Sequence, residues 1–278
     1  ALPAKLQADV NFRRGLAAAA GVSVLALAAI VIFLLSQALP IFAHVSLKDF
    51  LFSTEWYPTD DPPVFGIGAL IAGSLACAAL TTLIAVPFGV LTACAIHAGM
   101  PPALTRIVKP LIELMAALPS VVIGFIGMII LAPWLQDMFG IATGLNLFNA
   151  SIMLAFMCVP TIASISEDAL RNVPSGLREA SLALGATRWE TLLKVELRWA
   201  MGGIATAVML GISRVIGETM VVLMVAGGAA IIPEMAEAAV GGEHYHALYA
   251  TGLVLFIITF AFNLCAWYAA RRFGLEKK

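Results

Sequence analysis

Long stretches without a charged residue constrain what this chain can fold into more than any other feature. No Asp, Glu, Lys or Arg occurs between Arg14 and Lys48, or within residues 62–105, 114–136, 138–166 and 244–270. A helix needs about 20 apolar residues to cross the hydrocarbon core of a bilayer. Backbone polar groups must be paired internally there, which favours helices over loops. Each stretch therefore predicts a transmembrane helix.

The composition supports a membrane protein with several spans. Hydrophobic residues make up 61% of the 278 residues and charged residues 12%, and the mean hydropathy is +0.97. Soluble domains contain roughly half and a quarter, respectively. The formal net charge of -1 provides no basic field that would attract nucleic acid. We predict six helices, near residues 15–40, 66–97, 107–134, 148–165, 199–232 and 247–269.

The positive charges predict the orientation of these helices. With the N-terminus inside, 14 of the 16 Lys and Arg residues fall in inner segments, while Lys48 lies outside and Arg214 lies in the membrane. This asymmetry fits the positive-inside rule, so both termini are predicted to be cytoplasmic. The outer segments are acidic and carry Asp49, Glu55, Asp60, Asp61, Asp137, Glu234, Glu237 and Glu243.

Cysteine, histidine and glycine patterns argue against a metal site or an enzyme. The four cysteines fall within predicted spans and have no CxxC spacing, which indicates packing rather than metal binding. His244 and His246 lie in a predicted outer loop without a further ligand nearby, so we expect solvated histidines. No Gly-x4-Gly-Lys-Ser/Thr run occurs, so a partner would have to hydrolyse any ATP that is used.

The inner loop of residues 166–198 is predicted to form a helix, a tight turn and a second helix. Pro174 suits the first position of a helix, and Gly185 suits the position just after its end. Thr187 and Glu190 fit a capping box that opens the second helix. The plainer interpretation of this segment is an amphipathic connection on the membrane surface.

An arginine within the fifth predicted span is the main candidate for binding a substrate. Arg214 is 16 residues from Arg198, or about 24 Å along a helix. A central Arg costs about 2.5–3.5 kcal/mol to insert. Glu218 is expected one turn further on the same face, where it would partly neutralise Arg214. A guanidinium matches the oxygens of phosphate, and a structural Arg–Glu pair is the alternative.

We also make predictions for three residues of the third predicted span. Pro119 and Ser120 lie deep enough in the membrane to line a pathway, and we predict that they do so. Glu113 lies four residues from Lys109 near the inner end of the helix, so we expect a paired or snorkelling carboxylate there.

Several motifs resemble those of one transporter family. Glu179-Ala180-Ser181, followed by Gly185, resembles the EAA motif of ABC importer permeases. Residues 50–66 resemble the first outer loop of phosphate permeases of the Pst type, residues 118–124 resemble their third-helix motif, and residues 213–220 resemble their helix-five signature. The outer loop is more similar to the PstC subunit than to PstA.

This resemblance implies an all-α, six-helix permease of the type I ABC importer, or MetI-like, fold. Residues 1–65 would hold the N-terminus, the first helix and the outer loop. Residues 66–271 would form the permease core with coupling loop 166–198, and residues 272–278 the cytoplasmic tail. In that loop Glu179, Ala180 and Gly185 would contact the ATPase.

The resemblance also implies a set of partners in the bacterial inner membrane. A PstA-like second permease would complete the pathway for inorganic phosphate, which a PstS-like periplasmic binding protein would deliver. A PstB-like ATPase dimer would use ATP and Mg²⁺. This chain would bind the lipid bilayer but no cofactor, metal or nucleic acid.

Other functions stay open at this point. A permease for sulfate or molybdate would have the same architecture. A proton-coupled secondary carrier usually shows two repeated halves and more spans, and no convincing repeat relates residues 15–134 to residues 148–269. An intramembrane hydrolase would need a nucleophile with a base or a metal site, and the sequence offers neither.

Overall fold

Most of the described chain is helical. The structure, a computed structural model, describes residues 4–227 and 241–272. Six helical stretches in it are long and apolar enough to cross a membrane, which confirms the predicted all-α architecture. These stretches are Asn11–Ala43, Gly68–Gly99, Ser120–Phe139, Leu147–Arg171, Arg188–Ile216 and Glu243–Cys265. The end of the fifth predicted span, Glu234, Glu237 and the tail after residue 272 lie outside the described residues.

The helices are numbered here in chain order. They are α1 (Ala4–Ala38), α2 (Leu47–Phe52), α3 (Gly68–Cys94), α4 (Pro102–Ala116), α5 (Ser120–Ile126), α6 (Ala132–Phe139), α7 (Leu147–Arg171), α8 (Ser175–Ala183), α9 (Arg188–Thr191), α10 (Leu197–Ile216), α11 (Met220–Val225) and α12 (Glu243–Arg272). A 3-10 helix at Leu39–Ala43 follows α1, and π-helical turns occupy Ala95–Gly99, Gly127–Leu131 and Leu192–Glu196. Strands β1 (Trp56–Tyr57) and β2 (Val64–Phe65) pair in antiparallel fashion.

The predicted third span consists of two helical stretches rather than one. α4 ends at Ala116 and α5 begins at Ser120, with Pro119 as the N-cap of α5. Proline has no N–H group with which to continue the ladder of α4, and the residue before a proline avoids helical dihedral angles. The prediction of a single helix over residues 107–134 is therefore wrong at this point.

The predicted fifth span also ends earlier than expected. α10 stops at Ile216 with Gly217 as its C-cap, and α11 starts at Met220. Glycine has a low helix propensity, and the carboxylate of Glu218 accepts hydrogen bonds from the first backbone N–H groups of α11. One continuous helix over residues 199–232 is therefore wrong.

The chain divides into two compact units. The first comprises the described residues up to Gly68 together with residues 241–257. In this unit the outer loop folds into α2 and the β1–β2 hairpin, and Phe50 and Trp56 are buried. The rings of Trp56 and Phe65 meet edge to face, with their centroids 5.9 Å apart. Aromatic packing thus holds the hairpin.

The histidines of this unit differ from the prediction. His244 and His246 lie in the first turn of α12 and are half-buried. His246 Nδ1 lies 2.7 Å from the backbone carbonyl oxygen of Gln37, a residue near the end of α1. The prediction of solvated loop histidines is therefore wrong, because the helix begins earlier than the hydropathy pattern suggests and packs its first turn.

The second unit comprises residues 69–227 and 258–272, and α7 forms its centre. α7 packs against α4, α10 and α11. Its Ile162 lies against two glycines: a Cβ added to Gly89 would come within 2.7 Å of the Ile162 side chain, and one added to Gly211 within 2.9 Å. These glycines let α3 and α10 approach α7 closely, as small residues do at helix contacts in membranes.

Candidate functional site

Arg214 donates hydrogen bonds to residues of two other helices. Its Nη1 donates to Thr161 Oγ1 of α7 at 3.3 Å, and its Nη2 donates to the backbone carbonyl of Ala116 at 3.2 Å. Thr161 lies in the predicted fourth span of residues 148–165, four residues or about 6 Å from its inner end. The guanidinium therefore lies within the predicted membrane region, in the half nearer the inner loop.

The contact with Ala116 connects Arg214 to the break in the third span. Ala116 is the last residue of α4, and carbonyls at a helix C-terminus lack intrahelical partners and carry partial negative charge. Arg214 satisfies this carbonyl from a different helix. Pro119 and Ser120, both predicted to line the pathway, follow three and four residues later at the start of α5. The structure thus brings Arg214 to the segment that holds both.

Glu218, by contrast, does not pair with Arg214. Its carboxylate accepts hydrogen bonds from the backbone N–H groups of Met220 at 3.1 Å and Val221 at 3.3 Å. Within residues 4–227 and 241–272, no ion pair links it to Arg214. The predicted pairing required a continuous helix, and α10 ends at Ile216. That prediction is wrong, and the two hydrogen-bond partners of Arg214 are neutral.

Glu218 also lines a cavity of about 260 Å³ between α3, α7, α10 and α11. Of the lining residues that the structure describes, most are apolar, among them Leu70, Leu154 and Val222, and Glu218 is the only charged one. A carboxylate in apolar surroundings repels an anion. This cavity is therefore unsuited to hold phosphate, although it lies beside the helix that carries Arg214.

The inner loop forms the predicted helix, turn and helix. Gly185 follows Leu184, the C-cap of α8, and has a φ of 86°. The N–H of Gly185 donates to the carbonyl of Leu182 at 3.0 Å, and that of Ala186 donates to the carbonyl of Ser181 at 3.3 Å. This pair of bonds is a Schellman motif, which requires a left-handed residue at the position of Gly185.

The start of the next helix also follows the sequence signal. Thr187 and Glu190 form the predicted capping box, in which each side chain binds the backbone N–H of the other residue. Pro174 is the N-cap of α8 rather than its first helical residue, so the predicted start is early by one position. The local sequence therefore defines this loop almost to the residue.

The residues predicted to contact an ATPase lie on an open surface. Glu179 and Ala180 are exposed, and none of the residues of α8 is buried. Leu177, Leu182 and Leu184 are 41–90% exposed in the same short segment. An exposed apolar patch beside polar residues is typical of a protein interaction surface.

Lys109 belongs to an ionic cluster that does not include Glu113, the residue that the sequence suggested as its neighbour. Lys109 of α4 binds Glu167 and Asp168 of α7, the latter at 2.8 Å, rather than Glu113. Glu113 is exposed and lines an open groove instead.

A second cluster and one partner of Arg214 were not predicted. His97, Arg178 and Glu196 meet beneath α8, and Thr161 binds Arg214. Arg178 directly precedes the EAA-like motif, but no pattern in the sequence relates it to His97, which is 81 positions away. These contacts depend on the tertiary structure alone.

Comparison with known proteins identifies the family. Residues 85–274 match the family described as the inner membrane component of binding-protein-dependent transport systems, which covers more than half of the chain. The chain belongs to this family. It is therefore a multi-pass permease of the ABC importer type, and its relatives are permease subunits rather than enzymes.

Individual relatives confirm the predicted resemblance to the PstC permeases. The chain is 37% identical to the probable ABC transporter permease protein YqgH of Bacillus subtilis, over 95% of this chain and 91% of the relative. It is 34% identical to the phosphate transport system permease protein PstC of Mesorhizobium japonicum, over 80% and 78% of the two chains. It is 31% identical to PstC 2 of Mycobacterium tuberculosis, over 92% and 89%.

Solved structures confirm the fold class. A chain of the MetNI methionine ABC transporter in an inward-facing conformation aligns with a TM-score of 0.58 at 22% identity, covering 76% of this chain and 99% of that chain. A chain of a bacterial alginate ABC transporter, solved with an alginate-bound periplasmic protein, aligns with a TM-score of 0.66 at 15% identity, covering 96% of both. The predicted MetI-like permease fold is therefore confirmed.

Proposed function

We propose that this permease carries inorganic phosphate through the bacterial inner membrane as one of two permease subunits of an ATP-driven importer. The names of two relatives support phosphate as the substrate, since both are phosphate transport system permeases of the PstC type. The neutral environment of Arg214 is the structural observation that carries the proposal. A guanidinium at this depth, bound by a hydroxyl and a carbonyl, keeps its full positive charge.

Such a charge is suited to a dehydrated oxyanion. Membrane arginines are expensive to insert and usually serve a function, and the planar guanidinium binds two oxygens of a phosphate at once. The contacts with Thr161 and Ala116 use one nitrogen each, so an arriving anion could compete for them. Arg214, Pro119 and Ser120 then belong to the pathway, with the helix break at 117–119 beside the charge.

We assign Glu218 a neighbouring role on the same pathway. Its carboxylate holds the start of α11 and faces a largely apolar cavity. In that position it fixes the second helix break beside the helix that carries Arg214. Its role on the pathway would be to hold this break rather than to act on phosphate through its charge.

The proposal also assigns a role to the inner loop, which would lie in the cytoplasm and bind the ATPase. Glu179, Ala180 and Gly185 would dock α8 on a PstB-like ATPase dimer, which uses ATP and Mg²⁺ while this chain binds no cofactor. The exposed leucines of α8 and the fixed turn at Gly185 support this docking surface. Both termini would lie on the same cytoplasmic side.

The outer side would receive phosphate from a carrier protein. Predicted outer carboxylates outnumber Lys48 eight to one, and their repulsion of a di-anion extends about 8–10 Å in physiological salt. Phosphate would therefore arrive inside a PstS-like binding protein, and a PstA-like permease would complete the pathway.

Reconstitution tests this function directly. Vesicles that contain this chain, the second permease and the ATPase should take up phosphate only with ATP and the binding protein, and excess sulfate should not compete. Equal competition by sulfate or molybdate would indicate another oxyanion. Uptake that persists without ATP or the ATPase would indicate a secondary carrier and contradict the proposal.

A further inference from the structure

Three polar side chains tie α8 to the rest of its unit. Arg178 of α8 donates through Nε to Glu196 Oε1, and its Nη2 lies 2.9 Å from His97 Nε2. The same nitrogen of His97 lies 2.9 Å from Glu196 Oε2. The cluster joins three segments: α8, the π-helical turn after α3, and the π-helical turn that leads into α10.

The two partners of Arg178 are almost fully buried. The side chain of Glu196 is 4% exposed and that of His97 is 9% exposed, whereas that of Arg178 is 41% exposed. A buried carboxylate requires a charged or hydrogen-bonding partner, and Arg178 supplies it from α8. His97 Nε2 can accept a hydrogen bond from Arg178 or donate one to Glu196, but it cannot do both at once. A shift of α8 would therefore alter the hydrogen bonds of both buried residues.

Within residues 4–227 and 241–272, little else attaches α8 to the core. None of its residues is buried, and a cavity of about 350 Å³, lined in part by Leu182 and Arg188, extends beneath it. One further contact, between Ser181 Oγ and Thr191 Oγ1 at 2.9 Å, lies one turn beyond Arg178 on the same face. Polar contacts rather than apolar packing therefore connect α8 to the membrane helices.

We propose that Arg178, His97 and Glu196 form a clasp that passes the movement of α8 to α3 and α10. This inference rests on the proposed docking of the ATPase on α8. The clasp residues position other groups and do not touch phosphate. Hydrogen bonds between ionised groups are short and directional, so they transmit a displacement that loose contacts would absorb. Glu196 directly precedes α10, and α10 carries Arg214. A single helix therefore runs from the clasp to Arg214, the proposed substrate-binding residue.

Two measurements on the reconstituted complex test the clasp. The first is the number of phosphate ions taken up for each ATP hydrolysed, and the second is backbone hydrogen exchange in residues 175–183. The variants are Arg178→Gln, the double variant Arg178→Gln/Glu196→Gln, which leaves no buried carboxylate unpaired, and Arg178→Lys. The control is Lys194→Gln, which breaks an exposed ion pair with Glu190 in the same loop.

The clasp predicts a specific combination of results. In Arg178→Gln and the double variant, phosphate uptake per ATP should fall about threefold or more, within the range usual for residues of a coupling network. Exchange in α8 should become faster. Arg178→Lys should restore part of the uptake per ATP, and Lys194→Gln should match the wild type in both measurements.

Each other outcome overturns one of the two proposals. If the assembled variants keep the wild-type uptake per ATP, the clasp does not couple α8 to transport, whether or not exchange in α8 changes. If the wild-type complex takes up no phosphate, the proposed function is wrong. Unchanged exchange in Arg178→Gln and the double variant then rejects the clasp independently of any substrate.

Discussion

Two arginines of the same unit are held in opposite ways. Arg214 donates to a hydroxyl and a backbone carbonyl, both neutral, within the predicted membrane region. Arg178 binds the buried carboxylate of Glu196 beneath α8. The first keeps its electrostatic field, while the second has its field largely cancelled by a charge in direct contact.

The difference indicates which arginine can serve a substrate. In a medium of low dielectric constant, an uncompensated charge attracts an anion strongly, whereas an ion pair offers it little unless the pair first breaks. An ion pair is instead suited to fix two segments relative to each other. The comparison therefore assigns Arg214 to phosphate and Arg178 to mechanical coupling, and each assignment can be tested by substitution.

The largest effect is expected from removal of the membrane charge. Arg214→Gln should lower phosphate uptake by about 100-fold, because removing one partner of a buried, hydrogen-bonded charge pair costs about 2–5 kcal/mol of binding free energy. Arg214→Lys should restore little of it, because an ammonium lacks the planar fork. Uptake into vesicles is the measurement, and Arg106→Gln, an exposed residue of α4, is the matched control. Wild-type uptake by an assembled Arg214→Gln complex would remove Arg214 from the pathway.

The next effect concerns the turn that presents α8. Gly185→Val places a β-branched residue at a φ of 86°, where strain amounts to about 1–3 kcal/mol. The turn should rearrange and the ATPase should no longer copurify with the permease, although the chain still inserts into the membrane. Gly21→Val, in α1 with open space around its Cβ position, is the control and should copurify with the ATPase. Normal transport by Gly185→Val would rule out the docking role of the turn.

Local sequence signals predicted the structure of the inner loop well, whereas the partners of Arg214 depend on tertiary contacts and were not predicted. The turn at Gly185 and the Thr187–Glu190 capping box depend on bonds between residues at most five positions apart, so their geometry follows from the sequence. The same holds for the six spans, since their hydrophobicity is a property of continuous segments. The pairing of Arg214 with Glu218 failed because it assumed that an apolar segment stays helical throughout.

Partners distant in sequence were beyond such reasoning. Thr161 lies 53 positions from Arg214, and Ala116 lies 98 positions away. A carbonyl is present at every residue, so no side chain marks Ala116 as a partner. A proline such as Pro119 indicates a helix break from the sequence alone. That this break leaves the carbonyl of Ala116 available to Arg214 follows only from the packing of α4 against α7.

A smaller effect is expected from the hydroxyl that holds Arg214. Thr161→Val keeps the shape of the side chain but removes the acceptor, and a hydrogen bond to a charged group contributes about 1.5–3 kcal/mol. Part of this free energy is regained when phosphate binds Arg214, so uptake should fall by less than in Arg214→Gln. Thr161→Ser keeps the hydroxyl and should be close to wild type. The control is Thr206→Val in α10, whose hydroxyl binds a carbonyl of its own helix. Equal uptake by Thr161→Val and wild type would show that Thr161 does not position Arg214.

The smallest effect is expected at Glu218, and it separates a charge role from a capping role. In Glu218→Gln the amide oxygen can still accept from the N–H groups of Met220 and Val221, so both stability and uptake should stay near wild type. Glu218→Ala removes these acceptors and should lower the free energy of unfolding by about 1 kcal/mol, the usual cost of a lost helix cap. Thermal unfolding and uptake of the assembled complexes distinguish the two variants. If Glu218→Gln instead loses uptake as severely as Arg214→Gln, the carboxylate must act on Arg214 or on phosphate through its charge. The contrast between a charged Arg214 and a compensated Arg178 would then have to be withdrawn.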